Sequence, residues 1–318
     1  MGIKSVLKKC SHILTDKAYI KLAYFRRFHK FPNLKNPKTY NEKLQWLKLY
    51  DRKPIYTTMV DKYEAKKYVA DIIGEEYIIT TLGVFEKFDD IDFNLLPNQF
   101  VLKCTHDSGG LAICRDKKTF DINLAKKKIE NSLKTNYYLD GREWPYKNVK
   151  PRIIAEQFIS VSNSSIEASV DGTEISCDAL QAKHGLLDYK FMCFDGVVKA
   201  LFLDIGVIGN GTCHAEEYYR NVYDREGTLL PVKETRENYP TTVVLPSNLA
   251  KMVEIAEKLS KGIPHLRVDL YNLDNNDIRV GEMTFYHGGG MTNVFIPEEW
   301  NLVFGSWIDL DKIRKNSD

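Results

Sequence analysis

Apolar residues recur at helical spacing in several segments of the first quarter of the chain. Residues 4–28 combine such a stripe with many basic residues, which predicts one or two amphipathic helices. Thr39 and Glu42 have the spacing of a capping box, so a helix is expected to begin there. A further helix is predicted over about 60–73, where Gly74 is a stop signal. The chain therefore opens with a helical region.

Short apolar runs bounded by turn residues replace this pattern from about residue 76 onward, which predicts strands. Helices are predicted among them at 123–134 and 247–261. The predicted strand segments are 76–85, 100–104, 152–159, 174–181, 188–194, 197–205, 266–272 and 278–286. This order predicts an α+β or mixed α/β fold rather than a doubly wound parallel sheet.

The composition is that of an ordinary globular protein. The chain has 318 residues, of which 43% are hydrophobic and 28% charged, which excludes collagen-like, low-complexity and wholly disordered classes. No apolar run reaches the roughly 18 residues of a membrane span, and Lys8 and Lys9 interrupt any signal-peptide core. We therefore expect a cytoplasmic protein. Its six cysteines include no C-x-x-C pair, so reduced, mostly buried thiols are expected.

The charge of the chain is small in total but unevenly distributed. Residues 1–38 hold ten lysines and arginines against one acid, so this segment carries +9 and the other 280 residues carry −7 of the overall +2. The near-neutral total argues against a surface that is one nucleic-acid footprint. The basic segment is the feature that needs an explanation.

A first candidate site combines a lysine with a glycine-rich loop. Lys103 ends the predicted strand 100–104, and Ser108, Gly109 and Gly110 follow it closely. Backbone N–H groups approach an anion where no side chain intrudes, and an ammonium group adds charge, so the pattern suits phosphate binding. The sequence is neither a Walker A loop nor a G-x-G-x-x-G motif, and a purely structural turn is the alternative.

A second candidate site lies on the predicted hairpin near the C-terminus. Asp269 and Glu282 lie on two strand-like segments joined by the polar turn 273–277, so both acids can point to one face. They can share a divalent ion whose shell nucleotide phosphates complete. Arg267 precedes Asp269 by two positions and faces the same side of a strand. Two solvated surface acids are the alternative.

A third candidate site pairs an apolar strand with a lysine. Glu156, Gln157, Phe158 and Ile159 end a strand whose backbone can present donors and acceptors to an adenine ring. Lys190 lies in the next strong strand pattern and would add phosphate-binding charge. Edge strands with polar faces are the alternative.

The order of these features resembles the ATP-grasp fold, and a closer resemblance to the TupA-like ATP-grasp proteins extends from about residue 36 to 305. The strings that carry it are 36–47 (NPKTYNEKLQWL), 103–109 (KCTHDSG), 188–196 (DYKFMCFDG), 223–224 (YD) and 281–285 (GEMTF). The resemblance implies an α+β fold in which two subdomains clasp ATP. It also implies a link with bacterial surface polysaccharide and teichuronopeptide synthesis.

The resemblance further implies roles for single residues. It assigns contacts with the ATP phosphates to Lys62, Lys103 and Lys190. It assigns the flexible phosphate lid to Ser108, Gly109 and Gly110. It assigns the adenine-binding hinge to Glu156, Gln157, Phe158 and Ile159. It assigns magnesium binding to Asp269, Glu282 and Thr284. Arg267, together with Lys190, would stabilise the acyl-phosphate transition state. Thr284 departs from the common ATP-grasp pattern, because many of these enzymes have asparagine two residues after the second acid.

The resemblance also implies a domain arrangement, with some assignments left open. Residues 1–60 form a basic helical segment and 61–318 the ATP-grasp domain, with a lid subdomain at about 95–155 and a metal-binding subdomain at about 156–310. The candidate ribose ligands are Glu167, Glu174 and Asp178. His106, His214 and His287 are candidates for positioning substrate or accepting a proton from the amine. The loop 209–222 and the glycines 288–290 either select the acceptor or serve backbone geometry.

The expected function is an ATP- and Mg²⁺-dependent carboxylate–amine ligase. Its expected substrates are a uronic acid or other acidic sugar, free or nucleotide-linked, and an amino acid or amine. A glycosyltransferase, which would leave the lysines and acids unexplained, and a catalytically inactive nucleotide-binding protein are the alternatives. No nucleic-acid partner is expected. The basic segment either recruits an anionic substrate or polymer, touches anionic lipid, or is a solvated helix pair.

Overall fold

A computed structural model describes residues 13–161, 173–206, 218–273 and 277–315. The chain divides into two compact units. The first unit contains residues 1–34, 45–71 and 78–159. The second unit contains residues 35–44, 72–77 and 160–318. Each unit has its own antiparallel sheet.

The helices are short, and the longest of those described has 13 residues. They are α1 Asp16–Phe28, α2 Tyr40–Tyr50, α3 Ile55–Val60, α4 Glu64–Ile73, α5 Ile122–Leu133, α6 Tyr138–Gly141, α7 Cys177–His184, α8 Leu249–Ser260, α9 Trp300–Ser306 and α10 Leu310–Lys315. Single 3₁₀ turns lie at Glu75–Tyr77, Phe88–Asp90, Trp144–Asn148 and His287–Gly290. Within the described residues, no helix has the length and apolar character needed to cross a membrane.

Antiparallel pairing dominates the strands. They are β1 Thr81–Phe85, β2 Phe100–Cys104, β3 Leu111–Cys114, β4 Ile153–Gln157, β5 Glu174–Ser176, β6 Asp188–Phe194, β7 Val197–Ile205, β8 Tyr219–Tyr223, β9 Lys233–Glu234, β10 Thr242–Val244, β11 His265–Asn272, β12 Ile278–Thr284 and β13 Phe295–Ile296. The first unit has the order β1-β4-β2-β3, and the second has β12-β11-β6-β7-β8. β5 and β10 form a parallel pair, and β9 and β13 an antiparallel pair. The predicted α+β fold class is confirmed.

The core of the first unit lies on one face of its sheet. Phe100, Leu102 and Cys104 alternate inward along β2 and pack with Ile129 of α5. Lys103, between them, points to the opposite face. The alternation that the sequence shows in this strand therefore separates a core face from a charged face.

The five-stranded sheet of the second unit has an apolar face and a mixed face. Helix α8 covers the apolar face, and Cys193 of β6 contacts the Ala256 carbonyl of that helix. The other face carries charged side chains toward one end of the strands and an aromatic cluster toward the other. In that cluster the hydroxyl of Tyr40 donates to Nε2 of His265 at 2.9 Å, and the His265 ring stacks on Phe194. The charged end of this face holds the predicted site residues Lys190, Arg267 and Asp269.

Hydrogen bonds that cap helices explain why one predicted helix start is confirmed and one predicted helix is wrong. The capping box at Thr39 and Glu42 is present, since each side chain accepts from the other's backbone N–H at 3.3 and 3.2 Å. The helix predicted over about 60–73 is instead broken at 61–63, because the Asp61 carboxylate accepts from the N–H groups of Tyr63 and Glu64 and starts a new helix there.

One further strand prediction is corrected, and the prediction of reduced, buried thiols is confirmed for four cysteines. The strand predicted over 174–181 stops at Ser176, whose hydroxyl accepts from Ala179 N at 3.2 Å and caps α7. Four cysteines are free and buried as expected, namely Cys104, Cys114, Cys177 and Cys193. Residues 4–12 of the predicted N-terminal helices, with Cys10 and Cys213, lie outside the described residues.

Candidate active-site residues

The first unit holds two lysines around one buried carboxylate. Strand pairing places Val101 opposite Glu156, so Lys103, two residues along β2, shares the face of Glu156. Lys103 Nζ lies 2.7 Å from one carboxylate oxygen of Glu156, and Lys66 Nζ lies 2.6 Å from the other. Burial acts to raise the pKa of Glu156, but the two ammonium groups outweigh it and hold the pKa below its ordinary value. The cluster presents fixed positive charge.

Lys66 is a site residue that the sequence reasoning missed. It lies on α4, and burial lowers its pKa from the ordinary value despite its contact with Glu156. The structure also gives Glu156 a side-chain task in addition to the backbone hinge expected of it. Phe158 and Ile159 follow β4, and the Arg115 guanidinium lies 5.1 Å from the Phe158 ring centre. The adenine-hinge role of this segment stays a prediction.

The loop that joins β2 to β3 is organised by Asp107, another residue that the sequence reasoning missed. Its carboxylate accepts from Gly110 N at 3.0 and 3.1 Å and from the Ser132 hydroxyl. Its backbone carbonyl accepts from Lys62 Nζ. Lys62 is therefore brought to the same loop as Ser108, and the phosphate-binding role of both residues stays a prediction.

The two loop glycines have different steric surroundings. A Cβ atom on Gly110 would lie 2.6 Å from Cys104 Sγ and 2.5 Å from Ser132 Oγ, so any side chain there collides with packed neighbours. A Cβ atom on Gly109 would meet nothing within 4 Å. Gly110 is thus required by packing, whereas Gly109 leaves open space beside the loop backbone.

The second unit collects its charges around Lys190. The side chain of Lys190 is buried and contacts Asp188, with Asp269 Oδ2 at 3.0 Å and Asp204 Oδ2 at 3.9 Å. Sheet register produces the cluster, because Lys190 pairs with Asp269 of β11 and Asp188 pairs with Asp204 of β7. Burial raises the pKa of Asp188 above its ordinary value even though Lys190 opposes that shift.

Arg267 joins the two acids of the C-terminal hairpin. Asp269 lies directly opposite Glu282 in the β11–β12 pairing, and a bulge at Gly281 follows. Arg267 donates to both carboxylate oxygens of Asp269 at 2.6 and 2.7 Å and to Glu282 Oε1 at 2.6 Å. Thr284 Oγ lies 3.4 Å from that same Glu282 oxygen. The hairpin brings together all four residues that the sequence reasoning grouped there.

His287 extends the network away from Arg267. Its Nδ1 accepts from Arg267 Nη1 at 3.0 Å, and its Nε2 lies 3.7 Å from a Glu234 oxygen. Burial lowers the pKa of His287, so the neutral ring is the relevant form. Both ring nitrogens are engaged, which fits a positioning role and leaves neither free to take a proton from an amine.

A second arginine, Arg220, completes the charged face. It lies in the segment 209–222 that was predicted to be a loop, but residues 219–222 belong to strand β8, and the sequence reasoning gave Arg220 no acidic partners. Arg220 contacts Glu234 and donates to both oxygens of Asp204 at 2.5 and 2.7 Å. The hydroxyl of Tyr218 also donates to Asp204 at 2.7 Å. Because Asp204 reaches toward Lys190, the network forms a ring across strands β6, β7, β8 and β11.

The ionised groups of this ring do not balance. It contains five carboxylates against three cations, so two negative charges remain when all are ionised. The carboxylates are Asp188, Asp204, Glu234, Asp269 and Glu282, and the cations are Lys190, Arg220 and Arg267. A divalent cation would remove that excess.

Magnesium is the cation whose ligand preferences this arrangement fits. Mg²⁺ takes hard oxygen ligands and commonly binds one or two carboxylates together with substrate phosphates. Asp269 and Glu282 are such a pair, and the Glu282 side chain is 37% exposed. Within the described residues, no three or more His, Cys, Asp or Glu side chains form a metal cage on their own. A magnesium ion held by these two carboxylates would take its remaining oxygen ligands from water and substrate phosphates.

Acid should weaken the second unit through this ring. The pKa of Glu234 is lowered to about 2, because contacts with His287 and Arg220 overcome the opposing effect of burial. A lowered carboxyl pKa stabilises the fold above the ordinary pKa of 4.5 and loses that contribution as the pH falls through about 2. We expect the free energy of unfolding, measured in urea, to fall between about pH 5 and about pH 2.

The matched variants for this prediction are Glu234→Gln and Glu237→Gln. Glu234→Gln removes the titrating group, so its free energy of unfolding near neutral pH should be lower than that of the wild type by up to about 3 kcal/mol. Its free energy of unfolding should also change less between about pH 5 and about pH 2. Glu237 has a side chain that is 70% exposed, and its replacement should leave the wild-type profile unchanged. Equal slopes in all three proteins would contradict the assignment.

Of the remaining predicted residues, those that the structure describes join neither cluster. Glu174 is exposed at the start of β5, and Asp178 lies in the first turn of α7. Glycines 288–290 all have positive φ angles, of 57° to 61°, so backbone geometry explains them. His106 contacts the carbonyls of Ser132 and Thr135 at 3.2 Å. Glu167, His214 and residues 209–217 lie outside the described residues.

Comparison with known structures gives several ligases and synthetases at low similarity. D-alanine–D-alanine ligase from Bacillus anthracis is 14% identical, with a TM-score of 0.41, over 82% of this chain and 70% of that one. L-amino acid ligase from Bacillus licheniformis is 15% identical, with a TM-score of 0.41, over 91% and 56%. N5-carboxyaminoimidazole synthetase from Staphylococcus aureus is 13% identical, with a TM-score of 0.38, over 72% and 44%. The chain thus spans less than half the length of the last of these.

Family membership rests on a different comparison. Curated protein sequences give no significant match. The family model described as TupA-like ATPgrasp matches residues 42–168 and 174–309, which is most of the chain and includes both charged clusters. The chain belongs to the TupA-like ATP-grasp family.

Proposed function

We propose that this protein is an ATP- and Mg²⁺-dependent ligase that joins a carboxylate to an amine. The observation that carries the proposal is the β11–β12 hairpin, where Asp269 lies opposite Glu282 and next to Lys190 with Arg267 linking both acids. Such an array concentrates charge where phosphoryl oxygens and a magnesium ion would need it. We also assign phosphate-binding charge to Lys103 and Lys62 of the first unit, which lie beside Glu156 and at the loop of Asp107.

The chemistry requires two displacements. In the first, an oxygen of the substrate carboxylate attacks the γ-phosphorus of ATP, an O–P bond forms, and the bond to the bridging oxygen breaks to release ADP. In the second, the substrate amine attacks the acyl carbon, phosphate leaves, and the nitrogen loses a proton to form the amide. Neither step needs a nucleophilic side chain, which fits the high pKa values, about 12, of the buried Cys104, Cys177 and Cys193 thiols.

The protein's contribution is to place charge at the transferring phosphoryl group. We assign phosphate contacts to Lys62, Lys103 and Lys190, and stabilisation of the transition state to Arg267. Asp269 and Glu282, with Thr284, would hold magnesium, which when bound neutralises phosphate charge as a Lewis acid. Burial of Lys190 and Arg267 strengthens their electrostatic effect, because the surroundings are less polarisable than water.

We also propose a class for each substrate, based on the family's association with surface polysaccharide synthesis. The carboxylate would be that of a hexuronic acid or other acidic sugar, and the amine an amino acid or amino alcohol. Capsule-type polymers contain such acids, and the reaction would take place in the cytoplasm, where ATP is available.

A phosphate-release assay tests the proposal. Purified protein is incubated with ATP, Mg²⁺, a panel of sugar acids that includes UDP-glucuronate, and a panel of amines. We expect phosphate release that needs both an acid and an amine, with an amide product seen by mass spectrometry. Sugar transfer to an acceptor without ATP consumption would show a glycosyltransferase instead. ATP binding with no turnover across the panels would favour an inactive nucleotide-binding protein.

The loop glycines give a paired prediction about phosphate binding. Gly109→Ala should leave the free energy of unfolding within about 0.5 kcal/mol, because its Cβ enters open space. It should weaken ATP binding, because the added methyl lies beside the loop that we assign to the phosphates. Gly110→Ala should instead destabilise the fold by about 1–3 kcal/mol, because its Cβ overlaps Cys104 and Ser132.

Calorimetric titration with ATP and urea unfolding separate the two effects. Unchanged ATP affinity in a normally folded Gly109→Ala protein would refute the phosphate-lid assignment. Wild-type stability in Gly110→Ala would refute the packing argument.

A further inference from the structure

Helix α1 is fixed to the first unit by one of its faces. Tyr19, Ile20 and Tyr24 on that face are 6%, 0% and 1% exposed. The Tyr19 hydroxyl donates to the Asp140 carbonyl at 2.7 Å, and the Arg142 guanidinium lies 4.3 Å from the centre of the Tyr19 ring. The helix is therefore held in one orientation, and its opposite side is a defined surface.

That opposite side carries a second apolar stripe. Ala18, Leu22 and Phe25 follow one another at helical spacing, and Leu22 and Phe25 are 40% and 38% exposed. The Phe25 ring stacks on Phe31 with ring centres 4.8 Å apart, and Phe31 is 59% exposed. Packing against the first unit does not account for these residues, since the buried stripe already serves that purpose.

Basic side chains flank the exposed stripe. On a helical projection Lys17 and Lys21 lie on one side of it and Arg26 on the other, and all three are exposed. The sole acid of residues 13–38 is Asp16, which points inward to Arg52 at 2.7 Å and Arg142 at 3.3 Å. Its charge is thus neutralised inside the first unit, and the outer side remains positive.

We propose that this outer face, formed by Leu22, Phe25 and Phe31 with Lys17, Lys21 and Arg26, binds an anionic lipid surface. An interfacial helix has this form, with apolar side chains at the headgroup–acyl boundary and cations at its flanks that reach the lipid phosphates. The helix lies on the bilayer and does not cross it. A soluble polyanion would satisfy the cations but would leave the stacked phenylalanine rings in water. The proposal is independent of the ligase assignment.

Vesicle sedimentation with the full-length protein tests the proposal. We expect binding to vesicles that contain phosphatidylglycerol, little binding to pure phosphatidylcholine, and a decrease with added salt. The double variant Phe25→Ser, Phe31→Ser should weaken binding at least about tenfold by removing the apolar contact. The double variant Lys17→Glu, Lys21→Glu should weaken it by at least about tenfold, because each cation near the surface contributes about 1 kcal/mol.

The control is Lys127→Glu, Lys128→Glu, which makes the same charge change on exposed positions of α5 in the same unit. It should bind vesicles like wild type, and circular dichroism should show all variants folded. Equal sedimentation with both vesicle types, or equal loss in the control, would overturn the proposal. Full binding by the phenylalanine variant would also overturn it, since the face would then be a polyanion surface. Phosphate release in solution should be unaffected by these variants, so failure of either proposal is distinguishable.

Discussion

Replacing Glu282 by glutamine should abolish ATP-dependent ligation while leaving the fold intact. Its side chain is 37% exposed and forms one ion pair with Arg267, so the loss of stability should stay within about 1 kcal/mol. The amide removes a negative charge that we assign to magnesium, and metal charge stabilisation of a phosphoryl transition state is worth several kcal/mol. Turnover should therefore fall at least about a hundredfold.

Phosphate release at saturating ATP, measured against Mg²⁺ concentration, checks this expectation. Glu254→Gln, on α8, is the control because the ion pairs that Glu254 forms among the described residues are with Lys251 and Lys258 of its own helix. It should retain wild-type turnover. A Glu282→Gln protein with wild-type turnover and an unchanged Mg²⁺ dependence would refute the metal assignment of the hairpin.

Replacing Lys190 by methionine should have the largest effect on the fold. Its ammonium group is the cation shared by Asp188, Asp269 and Asp204, all of which are buried. Removing one partner of a buried ion pair leaves uncompensated charge and costs about 3–5 kcal/mol. Turnover should vanish as well, because the same group is assigned to the ATP phosphates. Acid should reduce the stability deficit, because protonation neutralises the carboxylates that the variant leaves crowded together.

Urea unfolding over a pH series measures both parts of this prediction. Lys199→Met is the matched control, since Lys199 is exposed on the neighbouring strand β7 of the same sheet. It should be close to wild type in stability and turnover. A Lys190→Met protein as stable as Lys199→Met at neutral pH would show that the three acids do not depend on this ammonium group.

Local pattern was sufficient for much of the fold. The alternation in 100–104 and the apolar runs at 188–194 and 197–205 predict β2, β6 and β7 with the observed bounds. The capping box at Thr39 is likewise encoded within a few residues. Strands β3, β8, β9, β10 and β13 were not predicted; β9, β10 and β13 have only two or three residues each, which is too short for a recognisable period.

The candidate site also contains residues that the sequence could group and residues that only the tertiary structure brings together. Arg267, Asp269 and Glu282 could be grouped from the sequence because a hairpin fixes which residues face each other across a short turn. Lys66 and Glu156 are 90 positions apart, and only the packing of α4 against the sheet joins them. Asp107 was missed because its role, to hold Gly110 and Ser132, depends on the fold of the loop.

The sequence by itself determined strands β2, β6 and β7, the hairpin acids, the basic N-terminal segment and the family resemblance, since each depends on neighbouring residues. Only the tertiary structure decided the closed ring through Asp204, Arg220, Glu234 and His287, and the direction of the inward and outward faces of α1. The physical reason is that ion pairs and burial depend on distance in space. Sheet register and helix packing set that distance, and no local spacing in the chain records it.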